Sequence, residues 1–183
     1  MRHRTPRILP AISLVLILAA CSDATGPAAE GPLVRTVAPQ FALEIDGSYV
    51  DAAIVTTFTN RTGGPLYFDY CPPIAMVLEV RRPNETAWER GFDPIAACPG
   101  FTEARRLKPG SARTDTLHLS GCLDDSCYPI FELVPDAEYR VVYGAATQED
   151  LRALLPVEER ASNPFHLVVA GGEGSAVIGG TGP

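Results

Sequence analysis

The chain has 183 residues and a formal net charge of −7, with 22 acidic residues against 15 arginines and lysines. A chain this acidic carries no basic stripe for nucleic acid and would be repelled by an anionic lipid surface. Its length suits one domain with tails.

The first segment, residues 1–20, predicts a secretory signal peptide. Arg2, Arg4 and Arg7 form a basic start, and the apolar run 11–18 is shorter than the roughly 20 residues that a spanning helix needs. Removing the segment would take away three arginines and no acid, so the remaining 163 residues would carry a formal charge of −10.

The residues that end this segment, Leu18-Ala19-Ala20-Cys21, resemble the lipobox of bacterial lipoproteins. The resemblance implies cleavage before Cys21 and attachment of fatty-acyl chains such as palmitate, which anchor a protein without a spanning helix. Ser22 is not the aspartate that retains enteric lipoproteins at the inner membrane, so the resemblance implies the outer membrane. The alternatives are an N-terminal transmembrane helix and an ordinary signal peptide with an incidental cysteine.

Residues 21–38 are predicted to be a lipidated tether, because they lack hydrophobic periodicity and contain prolines and glycines. As a flexible chain, this tether would hold the domain about 25 Å from the lipid. Residues 39–170 are predicted to be the folded domain. Residues 171–183 contain six glycines and are predicted to be a flexible tail.

Within the domain, apolar and polar residues alternate with period two. This pattern predicts about seven or eight strands and therefore an all-β, immunoglobulin-like sandwich. The predicted strands lie at 50–59, 66–70, 74–80, around Trp88, and at 114–119, 139–143 and 165–169. Residues 92–106 are predicted to be irregular. One short helix is predicted at 148–155, capped by Thr147 and closed by Pro156.

Four cysteines follow Cys21, namely Cys71, Cys98, Cys122 and Cys127. An even number in an exported chain predicts disulfides. Of the three possible pairings, the sequence favours Cys122–Cys127, which closes a short loop, with Cys71–Cys98 as the longer bridge. The stretch "CLDDSC" is then an oxidised, acidic surface loop.

Two other interpretations of this stretch involve a metal. The ligands of a zinc site would be His118, Cys98, Cys122 and Cys127. Their spacing is not a common zinc pattern. A calcium site would use Asp124 and Asp125, although two adjacent carboxylates lack the alternating ligand spacing of a calcium loop.

Residues 133–141, "LVPDAEYRV", resemble the Leu-x-Pro-x-Thr-x-Tyr-x-Val motif of fibronectin type III and related immunoglobulin-like domains. The resemblance implies a tyrosine corner, in which the hydroxyl of Tyr139 bonds to backbone a few residues upstream. Ala137 stands in place of the usual threonine.

About 90 residues are similar in order to the BsuPI-like family, immunoglobulin-like bacterial domains named after a proteinase inhibitor. Asn60 before a turn, Trp88 in a hairpin, the turn at Pro109-Gly110 and Tyr139 fall in the places that the family pattern gives them. The chain departs from the pattern in its four cysteines, in the insert 92–106 and in lacking a glycine before the tyrosine strand.

The sequence contains no Gly-x-Ser-x-Gly and no His-Glu-x-x-His motif. His118 and His166 occupy outward positions of predicted strands, where no nucleophile or carboxylate partner is evident. We therefore expect a non-catalytic module without metal or cofactor, held at a membrane and binding an unknown envelope partner. One alternative is a proteinase inhibitor that presents loop 98–106 or 122–127. The other is a metal-binding protein or enzyme.

Overall fold

The computed structural model describes residues 33–70, 74–94 and 103–171. Within these ranges the chain is mostly β-structure, with several sheets and one short helix. The strands are β1 (Val34–Thr36), β2 (Gln40–Asp46), β3 (Tyr49–Thr59), β4 (Leu66–Tyr70), β5 (Met76–Arg81), β6 (Glu89–Phe92), β7 (Glu103–Leu107), β8 (Ala112–Cys122), β9 (Glu138–Tyr143), β10 (Ala145–Ala146) and β11 (His166–Val169), and the helix is α1 (Val157–Arg160). No helix in the described part of the chain is long and apolar enough to cross a membrane.

The largest sheet is built around β3. Along one edge, β3 pairs antiparallel with β8 over its whole length, from Tyr49 opposite Cys122 to Thr59 opposite Ala112. Along the other edge of β3, two strands pair with different parts of it. The strand β1 pairs with the half that ends at Thr59, and β2 pairs with the half that begins at Tyr49. The last strand, β11, then pairs in parallel with β2.

Two three-stranded sheets complete the fold. One has the order β10-β4-β7 and the other β6-β5-β9, and all their pairings are antiparallel. Isolated bridges from Tyr139 to Phe165 and from Val142 to Ala161 bring the segment before β11 alongside β9. The final segment therefore links β9 to the largest sheet.

The core lies where the inner face of β3 meets β4 and β9. As predicted from period-two alternation, Val50, Ala52, Ile54, Thr56 and Phe58 are all buried. The ring of Phe58 makes edge-to-face contacts with Phe68, at 4.8 Å between centroids, and with Tyr143, at 5.3 Å.

The strand β9 is buried on both faces, which simple alternation did not predict. Its inward residues are covered by the core as expected, but Arg140 and Val142 on the other face are also buried. Arg140 lies 4.4 Å from the centre of the Trp88 ring and forms ion pairs with Glu79 and Glu158. The polar side chain is thus paired where it is buried.

The tyrosine corner that the motif implies is present. The Tyr139 side chain is buried, and its hydroxyl lies 3.3 Å from the nitrogen and 3.4 Å from the oxygen of Val134, five residues upstream. Asp136 adopts a left-handed conformation, with φ of 55°, in the turn between them.

The predicted helix at 148–155 is wrong. This segment instead folds back on β10, because the nitrogens of Thr147 and Leu155 bond to the oxygens of Ala153 and Ala145. The helix α1 begins after Pro156, so this proline precedes the helix instead of closing one. Tertiary pairing outweighs the helical propensity of the segment.

Four strands were not predicted from the sequence, namely β1, β2, β7 and β10. Leu33 and Val34 are buried and β1 lies in the sheet, so folded structure includes part of the segment predicted as tether. The strand β7 lies in the region predicted to be irregular. The strands β1, β7 and β10 are short edge segments without a clear alternation. The strand β2 was missed although it lies between β3 and β11 and buries Phe41 and Leu43 on one face.

Candidate functional site

The module has two ends, set by the direction of β3. At one end, which we name the root, Thr59 donates its backbone N–H to Leu33 and lies opposite Ala112. At the other end, which we name the tip, two turns meet: residues 45–49, from the end of β2 to the start of β3, and the loop 122–130, which begins at the last residue of β8. At about 3.3 Å per residue, the eleven residues of β3 separate root and tip by about 33 Å.

The two turns of the tip are joined by hydrogen bonds. The backbone nitrogen of Leu123 donates to the oxygen of Ser48 at 2.8 Å. The hydroxyls of Ser48 and Ser126 lie 2.9 Å apart, and the hydroxyl of Tyr49 bonds to that of Ser120. Segments 78 residues apart in sequence are thus held as one surface.

A disulfide closes the loop of the tip. Cys122 and Cys127 are bonded, with their Cα atoms 5.6 Å apart, which is the pairing that the sequence favoured. Because these two sulfurs are bonded to each other, they are not free to bind zinc as in the alternative interpretation of this stretch. Cys21, Cys71 and Cys98 lie outside the described residues, and so do the proposed lipid attachment and the second bridge.

The rest of the loop returns tightly onto β8. The nitrogen of Cys122 donates to Pro129 at 3.0 Å, and the nitrogen of Phe131 donates to Cys122 at 2.7 Å. At Gly121, an added Cβ would lie 2.3 Å from the oxygen of Pro129 and 3.5 Å from the ring of Phe92. Only a residue without a side chain allows this approach.

The tip exposes an unusual amount of apolar surface. Nine large apolar side chains in the described part of the chain are exposed, and five of them belong to the tip. These five are Ile45, Tyr49, Leu123, Tyr128 and Ile130. Tyr128 is 75% exposed, the largest value of the nine, and Ile130 is 52% exposed. Clusters of exposed apolar side chains commonly mark interaction surfaces, and Tyr128 and Ile130 are the two most exposed of these five.

The charges of the tip are all negative. Residues 45–49 and 122–130 contain Asp46, Asp124 and Asp125, and they contain no lysine, arginine or histidine. Hydrogen bonds from the side chain and backbone of Ser126 hold the pKa of Asp124 below its ordinary value. The backbone bond measures 3.0 Å and closes a local turn. Asp124 and Asp125 are exposed, and no group of three or more possible metal ligands occurs in the described ranges.

A second polar region covers the outer face of β5 and β9. The ring of Trp88 lies 4.7 Å from the guanidinium of Arg81 and 4.4 Å from that of Arg140. Arg81 pairs with Glu138. A polar cleft of about 340 Å³ adjoins this region, lined by Arg81, Arg82, Asn84, Glu85, Asp136, Glu138 and His166 among others. Because the two arginines of the cleft are paired with carboxylates, they neutralise charges of the module itself.

Of the two histidines, His166 is one of the residues that line the polar cleft, and His118 is not. His118 is exposed on the outer face of β8. His166 is exposed at the start of β11, and its Nδ1 lies 2.9 Å from the oxygen of Ala137. Both therefore occupy the outward positions that the strand pattern predicts.

One buried hydrogen-bond network contains Tyr143, a residue that the sequence did not indicate as functional. The hydroxyl of Tyr143 lies 2.5 Å from the hydroxyl of Thr56 and donates to Asp115 at 3.3 Å. Arg113 holds Asp115 through two bonds of 2.6 and 2.5 Å. Burial raises the pKa of Tyr143 well above its ordinary value, so this hydroxyl stays protonated and holds the two layers together.

Sequence reasoning found the disulfide loop but missed the exposed apolar residues around it. The signal that could have indicated them is the run Tyr128-Pro129-Ile130 directly after Cys127, which continues no strand pattern. Tyr49 was missed because it directly precedes the predicted strand 50–59.

No protein-family model matches the chain, and no curated protein matches it. Among solved structures, the Pseudomonas fluorescens alkylpurine DNA glycosylase AlkC, bound to DNA containing an abasic site analog, is similar over 77% of this chain at 10% identity. The TM-score is 0.27, and the chain spans 32% of that protein's chain. Similarity at this level indicates neither fold nor function.

Proposed function

We propose that this chain is an exported, lipid-anchored and non-catalytic module with an immunoglobulin-like β-sandwich, which binds or scaffolds other components of the cell envelope. The observation that carries the binding role is the tip, where Tyr128 and Ile130 are exposed directly after the segment that the Cys122–Cys127 disulfide closes. A loop fixed in advance loses little conformational entropy when a partner binds.

Three features support the immunoglobulin-like architecture. The sheet around β3 packs across an aromatic core against strands of the other two sheets. The pairings of β3 with β8 and of β5 with β9 are both antiparallel. Tyr139, the second residue of β9, forms the tyrosine corner with the backbone of Val134. Packed antiparallel sheets with a tyrosine corner are typical of immunoglobulin-like domains.

The membrane anchor is supported by the lipobox-like stretch that ends at Cys21 and by the disulfide, since disulfides persist outside the reducing cytoplasm. Growing cells with an alkyne-bearing fatty acid tests this anchor. We expect label on the wild-type chain and none on Cys21→Ala. Equal labelling of both chains would contradict the anchor and leave the fold proposal untouched.

The binding role is tested by crosslinking in intact cells, followed by purification through a tag placed at the C-terminus. We expect a discrete crosslinked adduct of the wild-type protein in the membrane fraction. Cys21→Ala is the matched control, because it keeps the domain and removes the anchor. A correctly labelled lipoprotein that yields no adduct would contradict binding or scaffolding.

A proteinase inhibitor is the second candidate, and the same closed loop favours it. Inhibitors commonly present a loop rigid enough to resist distortion on binding, and residues 122–127 form such a loop. Incubation with serine, cysteine and metalloproteases tests it. Stoichiometric loss of one protease activity, absent for Tyr128→Ser, would favour inhibition over scaffolding.

A further inference from the structure

We infer that the tip is the docking surface for a protein partner that presents basic side chains beside an apolar patch, and that it faces away from the anchoring membrane. This inference rests on the proposed function and names its binding surface and the chemistry of its partner. It follows from three properties of the tip: its apolar exposure, its charge and its position relative to the root.

The first property is that apolar side chains are exposed on a loop whose conformation is fixed. Tyr128 and Ile130 stand on either side of Pro129, whose carbonyl oxygen accepts from the backbone of Cys122. Three contacts fix the conformation of this loop. They are the Cys122–Cys127 disulfide, the contact between the hydroxyls of Ser48 and Ser126, and the close packing of Pro129 on Gly121. Exposed aromatic and aliphatic side chains on a fixed loop can enter pockets of a partner at low entropic cost.

The second property is charge. Asp46, Asp124 and Asp125 lie in the same two segments as the exposed apolar residues, and these segments contain no lysine, arginine or histidine. The lowered pKa of Asp124 keeps its carboxylate ionised at neutral pH and below it. Charge complementarity steers such a surface toward a basic partner and away from acidic ones. It also opposes insertion of the tip into an anionic lipid surface.

The third property is position. Leu33, where the described chain begins, lies at the root, because its carbonyl oxygen accepts from Thr59 at 2.7 Å. A chain tethered through Cys21 therefore reaches its anchor from the root. The tip is displaced from that point by the length of β3, about 33 Å. The docking surface then faces the aqueous side of the membrane.

The first test uses the full lipidated chain in detergent micelles and a displayed library of random peptides. We expect enrichment of peptides that combine Lys or Arg with aliphatic or aromatic residues. Binding of an enriched peptide should weaken at least tenfold with Tyr128→Ser and about tenfold with Asp125→Lys. Glu149→Lys, which changes an exposed acid away from the tip, should leave binding within about twofold.

Enrichment of acidic peptides would overturn the inference, as would binding that survives Tyr128→Ser. Equal weakening by Asp125→Lys and Glu149→Lys would also overturn it, because charge at the tip would then have no special role. Binding of the domain to lipid vesicles, lost in Tyr128→Ser, would assign the tip to a membrane and refute a protein partner.

The second test places a photo-crosslinking amino acid at Tyr128, in the tip, or at Lys108, which is exposed near the root. In intact cells we expect a protein adduct from position 128 whose yield falls with Asp125→Lys, and none from position 108. Adducts from position 108 alone would leave the proposed binding function intact and refute the tip as its surface. Adducts from neither position would count against both.

Discussion

The hydroxyl of Tyr139 lies within hydrogen-bond distance of both backbone groups of Val134, at 3.3 Å from the nitrogen and 3.4 Å from the oxygen. The ring itself is packed between Phe131 and Phe165, whose centroids lie 6.2 and 6.3 Å away. The corner therefore joins the loop before β9 to the centre of the core.

Removing this hydroxyl should destabilise the domain while keeping its packing. We expect Tyr139→Phe to lower the free energy of unfolding by about 1 kcal/mol, because it leaves the Val134 backbone without this partner. Urea denaturation followed by tryptophan fluorescence measures the change. Tyr128→Phe is the matched control, since that side chain is exposed, and should have almost no effect. An unchanged midpoint for Tyr139→Phe would show that the corner contributes nothing.

Asn60 is expected to be a larger determinant of stability. Its side chain is buried, and its Nδ2 donates to the oxygens of Gly64 at 2.9 Å and Leu107 at 3.0 Å. Its Oδ1 accepts from the backbone and hydroxyl of Thr62, at 3.0 and 2.7 Å. One side chain thus ties the turn after β3 to the end of β7, which explains the residue type at this position.

Replacing Asn60 by Asp keeps the acceptor and removes the donor, so a carboxylate would face two carbonyl oxygens. We expect Asn60→Asp to lower the free energy of unfolding by about 3 kcal/mol. The new carboxylate would be buried, and its second oxygen would face the two carbonyl oxygens instead of hydrogen-bond donors. Thermal denaturation measures the loss, which should shrink at acidic pH where the carboxyl is protonated. A loss that is independent of pH would contradict the explanation by charge.

The close approach at Gly121 predicts a steric effect confined to the tip. We expect Gly121→Ala to destabilise the protein by about 2 kcal/mol or more, since the new methyl group would overlap the oxygen of Pro129. Gly63→Ala is the matched control, because nothing lies within 4 Å of a Cβ there. It should be neutral within about 0.5 kcal/mol. Similar losses for both variants would point to a general cost of replacing glycine.

Stability should fall in alkali because of two buried tyrosines. Burial raises the pKa of Tyr143 and Tyr139 above the ordinary value near 10, so above that pH the unfolded chain releases protons that the folded chain keeps. The stabilising contribution is thus complete below pH 10 and is lost as the pH rises further.

Unfolding experiments from pH 8 to 12 would measure this dependence, with tyrosinate absorbance as the monitor. We expect a steeper loss of stability for the wild type than for Tyr143→Phe above about pH 10. Identical slopes would contradict a raised pKa of Tyr143. Tyr128→Phe again serves as the control, because it removes the hydroxyl of an exposed tyrosine.

The longest strands, β3 and β8, could be predicted from the sequence, whereas the edge strands β1, β7 and β10 and the central strand β2 were missed. In β3, the alternation of apolar and polar residues matches the burial of the side chains, because one face of the strand packs on the core. The strand β7, with the sequence Glu-Ala-Arg-Arg-Leu, has most of its side chains in solvent and therefore lacks that signal. At 148–155, local propensity suggested a helix, whereas pairing with β10 decided the structure.

The candidate site was predictable only in part, for a similar reason. Cysteine number and spacing indicated the loop at Cys122 and Cys127, because redox compartment and loop length limit the choices. The exposure of Tyr128 and Ile130 was not predicted, because apolar residues beside a strand are usually buried. Their exposure depends on the return of the loop onto Cys122, which is a tertiary contact.

The split edge of β3 has a mechanical consequence. The strand β1 runs from the root toward the tip, with Val34 opposite Phe58 and Thr36 opposite Thr56. Tension between Leu33 and the tip would slide β1 lengthwise along β3, so the hydrogen bonds between them, which lie across the strands, would resist together. Bonds that share a load in shear withstand more force than bonds that are unzipped one after another. A pull at Leu33 directed away from the tip would therefore load the three residue pairs between β1 and β3 together.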